Sequence, residues 1–236
     1  MRLGLIQSRG LGDIVIAAPI AQFYIDHGHE VFWPVDDNFF TAVKEAFPEI
    51  GFLPLDPELS HSSSRDYFLD RPVALLKDLQ CDPIVALYSY LSDLPVVNEG
   101  LASALKFDEY KYALCDVPFS EKWRLRLSRN LERESRLFLS LDVREPFVLV
   151  HNKGSDGTYD LPIKSSTQVK TLYVDERTNN PFDWLGTIER AAEVHLIDSV
   201  FANIVEQLAL HKRAFLYLRS QIRFTPVFKN LAIRVR

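Results

Sequence analysis

Cysteine is scarce in this chain, because Cys81 and Cys115 are the only two among 236 residues. Two cysteines form neither a metal-ligand spacing nor a disulfide framework, and this usage is typical of a reducing compartment. We therefore expect a cytoplasmic protein. The histidines at 61, 151 and 195 are also not spaced as metal ligands. The sequence predicts no metal centre and no cofactor.

Long apolar runs and an excess of positive charge are also missing. No run of about 18 apolar residues is present, so no membrane span is expected. Asp13 interrupts the first apolar stretch and no small-residue cleavage site follows it cleanly, which argues against a signal peptide. The net charge of −5 gives no general attraction to nucleic acid or an anionic membrane. A local basic patch can still bind either of these partners.

The remaining composition is that of an ordinary globular protein, with 47% hydrophobic and 25% charged residues. A chain of 236 residues forms one large domain or two small ones. It can bury most of its apolar surface without disulfides.

The first fifty-five residues have the pattern of an α/β domain. An apolar run at 3–7 meets a glycine-containing turn, and an apolar helix is predicted at 13–27. A strand at 30–33, a helix at 38–47 capped by Asn38, and a strand at 51–55 follow. This βαβαβ order is half of a doubly wound parallel sheet.

A second α/β series begins at Pro146. Strands are predicted at 147–151, 169–174, 194–197, 214–218 and 231–235, with a helix at 199–210. Between the two series lie a predicted helix at 74–79, a strand at 83–87, and helices at 94–107 and 120–139, the last capped by Ser120. We therefore predict two Rossmann-like domains, 1–143 and 144–236, joined by a hinge near 140–146.

The first candidate site is the turn Gly10-Leu11-Gly12-Asp13. Glycines let the backbone approach a ligand, and amides at a helix start favour anions. Asp13 could take a proton from a substrate hydroxyl, or it could simply cap the helix. The spacing is not a complete dinucleotide fingerprint, and the acids nearest to its ribose-binding position are Asp36 and Asp37, after the second predicted strand.

Two further candidates lie in the second series. Asp198 and Ser199 end a strand and open a helix, so they could hold a phosphate or act as an ordinary cap. The loop at 152–158 contains Lys153 and Gly154, which suit a phosphate counter-charge and a close backbone approach. A solvated polar turn explains the same loop.

A basic stretch spans residues 121–136, with six cations against three acids. On a helix these side chains form a solvated face with partial pairing to Glu132 and Glu134. The other interpretation is a surface that binds an anionic acceptor, such as a nucleic acid.

Together the motifs resemble the ADP-heptose–lipopolysaccharide heptosyltransferase family. The resemblance rests on the strand before Gly12-Asp13 with Pro19 in the following helix, the strand ending in His151-Asn152-Lys153-Gly154, and Ile197-Asp198-Ser199. It implies two Rossmann-like domains facing a cleft, the arrangement named GT-B. It also implies inverting, metal-independent transfer of a sugar from a nucleotide-sugar donor to an acceptor hydroxyl.

The resemblance assigns roles to single residues. Asp13 would be the catalytic base, and the donor phosphates would meet Lys153, Gly154, Asp198 and Ser199. The remaining predicted site residues lie on the acceptor side: Gly10, Gly12 and His61.

The chain also departs from the family pattern. Val200 and Asn203 replace a glycine and a histidine of the family, and the stretch at 158–193 is short for its full strand–helix series. We therefore expect a reduced second domain. Two alternative functions stay open: a non-catalytic nucleotide or nucleotide-sugar binding module, and a glycosyltransferase acting on modified nucleic acid bases.

Overall fold

The computed structural model describes residues 1–56, 65–89, 91, 94–143, 146–154, 157–163, 169–218 and 225–234. Its contacts divide the chain into two compact units, Met1–Ser128 and Arg129–Arg236. The assignment of acceptor and donor domains to 1–143 and 144–236 stays a prediction. The predicted acceptor residue His61 lies outside the described residues.

The first unit alternates strands and helices around a parallel sheet. Its elements are β1 (Arg2–Ile6), α1 (Leu11–Asp26), β2 (Glu30–Asp36), α2 (Asp37–Ala46), β3 (Gly51–Leu55), α3 (Arg71–Asp78), β4 (Ile84–Ala86), α4 (Glu99–Ala104) and α5 (Phe107–Leu114). A π-helical segment, Asp66–Asp70, precedes α3, and a 3-10 segment, Phe119–Arg124, follows α5. The strand order is β3-β2-β1-β4, so the order reverses between β1 and β4.

The second unit has the same construction with a different strand order. Its elements are α6 (Leu131–Ser140), β5 (Phe147–His151), β6 (Lys153–Gly154), β7 (Gly157–Thr158), β8 (Lys170–Tyr173), α7 (Leu185–Arg190), β9 (Glu193–Ile197), α8 (Val200–Leu208), β10 (Ala214–Tyr217) and β11 (Ala232–Arg234). The parallel sheet runs β11-β10-β9-β5-β8, and β6 pairs with β7 as a separate antiparallel hairpin. Here the order reverses between β5 and β9.

The central strands of the second sheet are buried on both faces, which explains their continuous apolar sequence. Phe147 and Leu149 of β5 join a core with residues of α6, α7 and α8. Val148 and Val150 belong to a second cluster, in which Leu161 is also buried and Tyr159, Ile163 and Val169 pack against it. Residues 159–163 and 169 lie outside any helix, so the part of this covering chain that the structure describes is non-helical. Reduction of the second domain stays a prediction.

The predicted helix at 120–139 is wrong. Ser120 lies inside the 3-10 segment, the chain is not helical at 125–130, and α6 begins at Leu131. The physical reason is tertiary: the Lys122 side chain is fully buried and its ammonium lies 2.7 Å from Asp108 of α5. The Asn130 side chain instead caps α6 by accepting from the backbone of Arg133 at 3.0 Å.

Two smaller differences also follow from capping. The predicted helix at 94–107 is reduced to α4, because residues 94–98 are not helical and Lys106, with extended backbone angles, separates α4 from α5. The predicted cap Asn38 is wrong. Asp36 caps α2 instead, and its carboxylate accepts from the Asn38 backbone N–H at 3.0 Å. Among the described residues, no helix is long and apolar enough to cross a membrane.

The segment before β11 is held by one buried acid of α8. The Glu206 carboxylate accepts backbone N–H groups of Lys229, Asn230 and Leu231 at 2.6, 2.8 and 2.9 Å. Glu206 is fully buried. Three donors therefore converge on two oxygens inside the second unit.

We predict that Glu206→Gln destabilises the second unit, because an amide NH₂ would face backbone donors. The expected loss is about 2 kcal/mol of unfolding free energy, measured by urea denaturation, with faster hydrogen exchange in α8 and β11. Glu132→Gln is the control, since that side chain is 81% exposed on α6. Equal effects of the two substitutions would contradict the role of Glu206.

Candidate functional site

Each sheet carries polar residues where its strand order reverses. Open α/β sheets bind ligands at the carboxyl ends of such strands. We call these two places the β1–β4 edge, formed by the residues that follow β1 and β4, and the β5–β9 edge, formed by the residues that follow β5 and β9. The predicted residues Gly10, Gly12 and Asp13 lie at the first, and Lys153, Gly154, Asp198 and Ser199 lie at the second.

The loop after β1 is fixed by buried side chains. The Ser8 backbone N–H donates to the hydroxyl of Tyr88, which follows β4, at 2.8 Å. The Gln7 amide donates to the carbonyl of Arg9 at 2.8 Å. Gln7, Ser8 and Tyr88 are fully buried, so the loop is held from both strands before α1 begins.

Gly10 is the capping residue of α1, and no side chain caps this helix. Asp13 is in the first turn, so the helix-cap interpretation of Asp13 is wrong. Gly10 has φ +81, and a Cβ built on it would lie 2.6 Å from Oδ2 of Asp13. Glycine is needed here both for the left-handed backbone and for room beside the carboxylate.

The Asp13 carboxylate faces a buried cation. The Lys111 ammonium lies 3.2 Å from Asp13 Oδ1, and it donates to Gln7 Oε1 at 2.6 Å and to the Leu87 carbonyl at 3.0 Å. Lys111 is fully buried, whereas the Asp13 side chain is 22% exposed. Burial lowers the pKa of Lys111, and the charge of Asp13 opposes that shift. This ion pair therefore fixes a carboxylate that is only partly exposed to solvent.

The Asp13 oxygen that faces Lys111 is buried. This Oδ1 makes no hydrogen bond to the described residues, although the Lys111 ammonium lies 3.2 Å from it. The exposed part of the Asp13 side chain therefore does not include Oδ1. Burial also raises the pKa of the neighbouring Tyr88 to about 12, and the negative charge of Asp13 adds to the rise. The Tyr88 hydroxyl is consequently neutral at ordinary pH.

Sequence reasoning missed Lys111 and Tyr88. Lys111 follows two acids, Asp108 and Glu109, so its segment has the charge density of a solvated surface. The aromatic residues around it were the available signal, since Tyr110 and Tyr112 are fully buried on the same helix. Only the packing of α5 against α1 explains why a lysine is buried there.

The acid at the end of β2 does not serve as a ribose ligand. Asp36 is 1% exposed. Its oxygens accept from the Asn38 backbone and from the Tyr67 hydroxyl, both at 3.0 Å. Both oxygens of Asp36 are therefore occupied and are not available to the ribose hydroxyl that dinucleotide-binding sheets bind at this position.

At the β5–β9 edge the structure brings Ser199 to His151. The Ser199 hydroxyl lies 3.1 Å from Nδ1 of His151, and the His151 ring is 4.4 Å from the ring of Phe201. Ser199 occupies the capping position of α8, but its side chain makes no capping bond. The first N–H groups of a helix have no intrahelical acceptor, so those of α8 are potential anion donors. Asp198 is 9% exposed beside them.

Lys153 and Gly154 form β6 of the short hairpin that follows β5. The Lys153 ammonium is paired with the exposed carboxylate of Glu176, and this hydrogen bond lowers the pKa of Glu176. Lys153 must therefore exchange Glu176 for a phosphate if it is to contact a donor. Among the described residues, no group of three or more His, Cys, Asp or Glu side chains could hold a metal ion.

The basic stretch is paired with acids along its whole length. Lys122 is buried against Asp108, and Arg126 contacts Asp26 at 2.8 Å. The other pairs are Arg124–Glu121, Arg129–Glu134, Arg129–Glu189, Arg133–Asp183 and Arg136–Glu132. This pairing removes most of the positive charge on which a nucleic-acid surface depends.

We predict that Gly10→Ala lowers stability by at least about 1 kcal/mol more than Gly28→Ala. Both glycines have positive φ, but a Cβ at Gly28 meets no atom within 4 Å. The difference therefore isolates the clash with Asp13, and thermal unfolding measures it. Adding Asp13→Ala should remove the excess, whereas an unchanged excess in the double variant would contradict the clash.

Solved structures share the fold of this chain, although no family model and no curated protein matches the sequence. A glycosyl transferase family 9 structure from Veillonella parvula superposes with a TM-score of 0.64, covering 99% of this chain and 86% of its own at 11% identity. E. coli heptosyltransferase WaaC with ADP-2-deoxy-2-fluoro heptose gives 0.51, covering 99% and 93% at 12% identity. The resemblance to heptosyltransferases is confirmed at the level of the fold, which this chain shares with those glycosyltransferases.

Proposed function

We propose that this chain transfers a sugar from a nucleotide-sugar donor to an acceptor hydroxyl, with inversion and without a metal ion. The observation that carries the proposal is the Asp13 carboxylate, fixed 3.2 Å from buried Lys111 at the β1–β4 edge of a glycosyltransferase fold. The cytoplasmic location expected from cysteine usage stays a prediction.

Asp13 acts as the general base in this proposal. The acceptor hydroxyl donates to a carboxylate oxygen of Asp13 and loses its proton to it as its own oxygen bonds to the anomeric carbon. The bond from that carbon to the diphosphate breaks, and its electron pair stays on the departing phosphate oxygen. A single displacement inverts the anomeric centre. Lys111 keeps the carboxylate in place.

The β5–β9 edge supplies the donor site. The first-turn amides of α8 and the Ser199 hydroxyl are suited to a diphosphate, because helix starts favour anions. Negative charge develops on that diphosphate as the sugar leaves, and fixed donors stabilise it. Lys153 would contribute after release from Glu176. One WaaC neighbour was solved with ADP, which supports a nucleoside diphosphate donor here.

The proposed roles follow the two halves of the chain. The segment 1–143 presents the acceptor through Gly10, Gly12 and Asp13, and 144–236 presents the donor through Lys153, Gly154, Asp198 and Ser199. His61 belongs to the acceptor side in this proposal. A carbohydrate acceptor is preferred to a nucleic acid, because the cations at 122–136 are paired.

We predict that Asp13→Asn lowers the rate of sugar transfer by about 10²-fold or more, because an amide cannot accept the proton. The measurement is the rate of product formation from the nucleotide-sugar that the chain binds, and Asp37→Asn is the matched control. Asp37 is an exposed acid in the first turn of α2, a helix start on the same sheet, and its loss should leave transfer unchanged. Full activity of Asp13→Asn would refute the base assignment.

We predict that calorimetry with sugars of ADP, GDP, UDP and CMP finds a nucleotide-sugar donor, and that Ser199→Ala weakens its binding by about fivefold to tenfold. Ser140→Ala is the control, since that hydroxyl donates to Leu137 at the end of α6. Binding without turnover would replace the enzyme with a non-catalytic binding module. No binding of any nucleotide would contradict both functions.

A further inference from the structure

One cation at the β1–β4 edge has no role in the proposed reaction. Arg9 directly precedes Gly10, the capping residue of α1. Its guanidinium carbon lies 5.6 Å from the ring centre of Tyr67, and its Nε is 3.5 Å from Oδ2 of Asp36. The Arg9 side chain is 49% exposed, whereas that of Asp36 is 2% exposed. Arg9 is thus a half-exposed cation that contacts the buried side chains of Tyr67 and Asp36.

Asp36 does not need Arg9 for its hydrogen bonds. Its Oδ1 accepts from the Asn38 backbone and its Oδ2 from the Tyr67 hydroxyl, both at 3.0 Å. The 3.5 Å contact to Arg9 is longer than a hydrogen bond. The bond between Asp36 and Tyr67 instead fixes the ring on which the guanidinium lies. Asp36 therefore helps to orient the guanidinium of Arg9 but takes no hydrogen bond from it.

Arg9 differs in this respect from other surface arginines of the first unit. Arg2, Arg65, Arg71, Arg124 and Arg126 lie 2.7 to 3.3 Å from a carboxylate. The guanidinium of Arg9 makes no hydrogen bond to the described residues, so its two Nη groups keep their donors. A planar guanidinium with a free edge matches the two oxygens of a carboxylate or a phosphate.

We propose that Arg9 binds an anionic group, a carboxylate or a phosphate, on the acceptor whose hydroxyl reaches Asp13. That the anion belongs to the acceptor rests on the proposed function, whereas the anion site at Arg9 does not. The chain carries a net charge of −5, and Asp13 and Asp36 add negative charge at this edge. An anionic acceptor therefore needs a local cation, and Lys111 is buried. Arg9 orients the acceptor and Asp13 receives its proton.

The test uses three probe sugars of similar size and different charge: glucuronate, glucose 6-phosphate and glucose. The full chain is labelled with 15N, and each sugar is titrated while the Nε–H signal that Arg9→Gln removes is followed. We expect both charged sugars to shift this signal, and glucose to leave it in place. Preference between the two charged sugars distinguishes a carboxylate from a phosphate as the source of the anion.

Two variants separate binding from stability. Arg9→Gln should weaken binding of the charged sugar by about tenfold. Arg9→Lys should weaken it by less, because lysine keeps the positive charge and lacks only the paired N–H donors of the guanidinium. Arg124→Gln is the control, since Arg124 is 73% exposed and pairs with Glu121; it should leave the affinity unchanged. Equal affinity of Arg9→Gln and the unaltered chain, with or without a loss of stability, would overturn the inference.

The remaining outcomes are also decisive. Failure of both charged sugars to shift the Arg9 signal, or equal shifts with glucose, would overturn the anion site. Anion binding that depends on Arg9 in a chain that transfers no sugar from any nucleotide-sugar would refute the proposed function and leave the anion site standing.

Discussion

The buried ammonium of Lys111 is the interaction on which the β1–β4 edge depends. A charge removed from water is costly unless it is paired and hydrogen-bonded. Gln7, Leu87 and Asp13 compensate Lys111 from three separate places, namely the end of β1, the end of β4 and the start of α1. One side chain on α5 therefore couples both strands of the edge to the helix that carries the carboxylate.

Both units contain a reversal of strand order in their parallel sheet, but the polar residues at the two reversals differ. A reversal of strand order opens a crevice at the carboxyl ends of the central strands. In the first unit the crevice carries an acid held by a buried cation, Asp13 with Lys111. In the second unit it carries a hydroxyl held by an imidazole, Ser199 with His151. The first edge suits proton acceptance and the second suits an anion.

The sequence predicts what local patterning determines and misses what tertiary pairing determines. Strands such as Phe147–His151 follow from apolar runs bounded by turns, and Gly10 lies in the glycine-containing turn that the sequence predicts, where its φ is +81. The helix predicted at 120–139 fails, because Lys122 has the pattern of a surface cation yet is buried against Asp108. The burial of Lys111 is hidden for the same reason, since spacing does not reveal which cation will find an internal partner.

The surface arginines of the first unit differ in how closely an acid approaches them. Arg126 lies 2.8 Å from Asp26, and exposed pairs of this kind contribute little to stability. Arg9 has a longer contact, 3.5 Å to the buried Asp36, and its guanidinium also lies over the ring of Tyr67. Because the ring and the buried acid hold Arg9 from one side, the outer edge of its guanidinium stays available to a ligand. The proposed anion site therefore depends on the geometry of this support rather than on a lack of pairing.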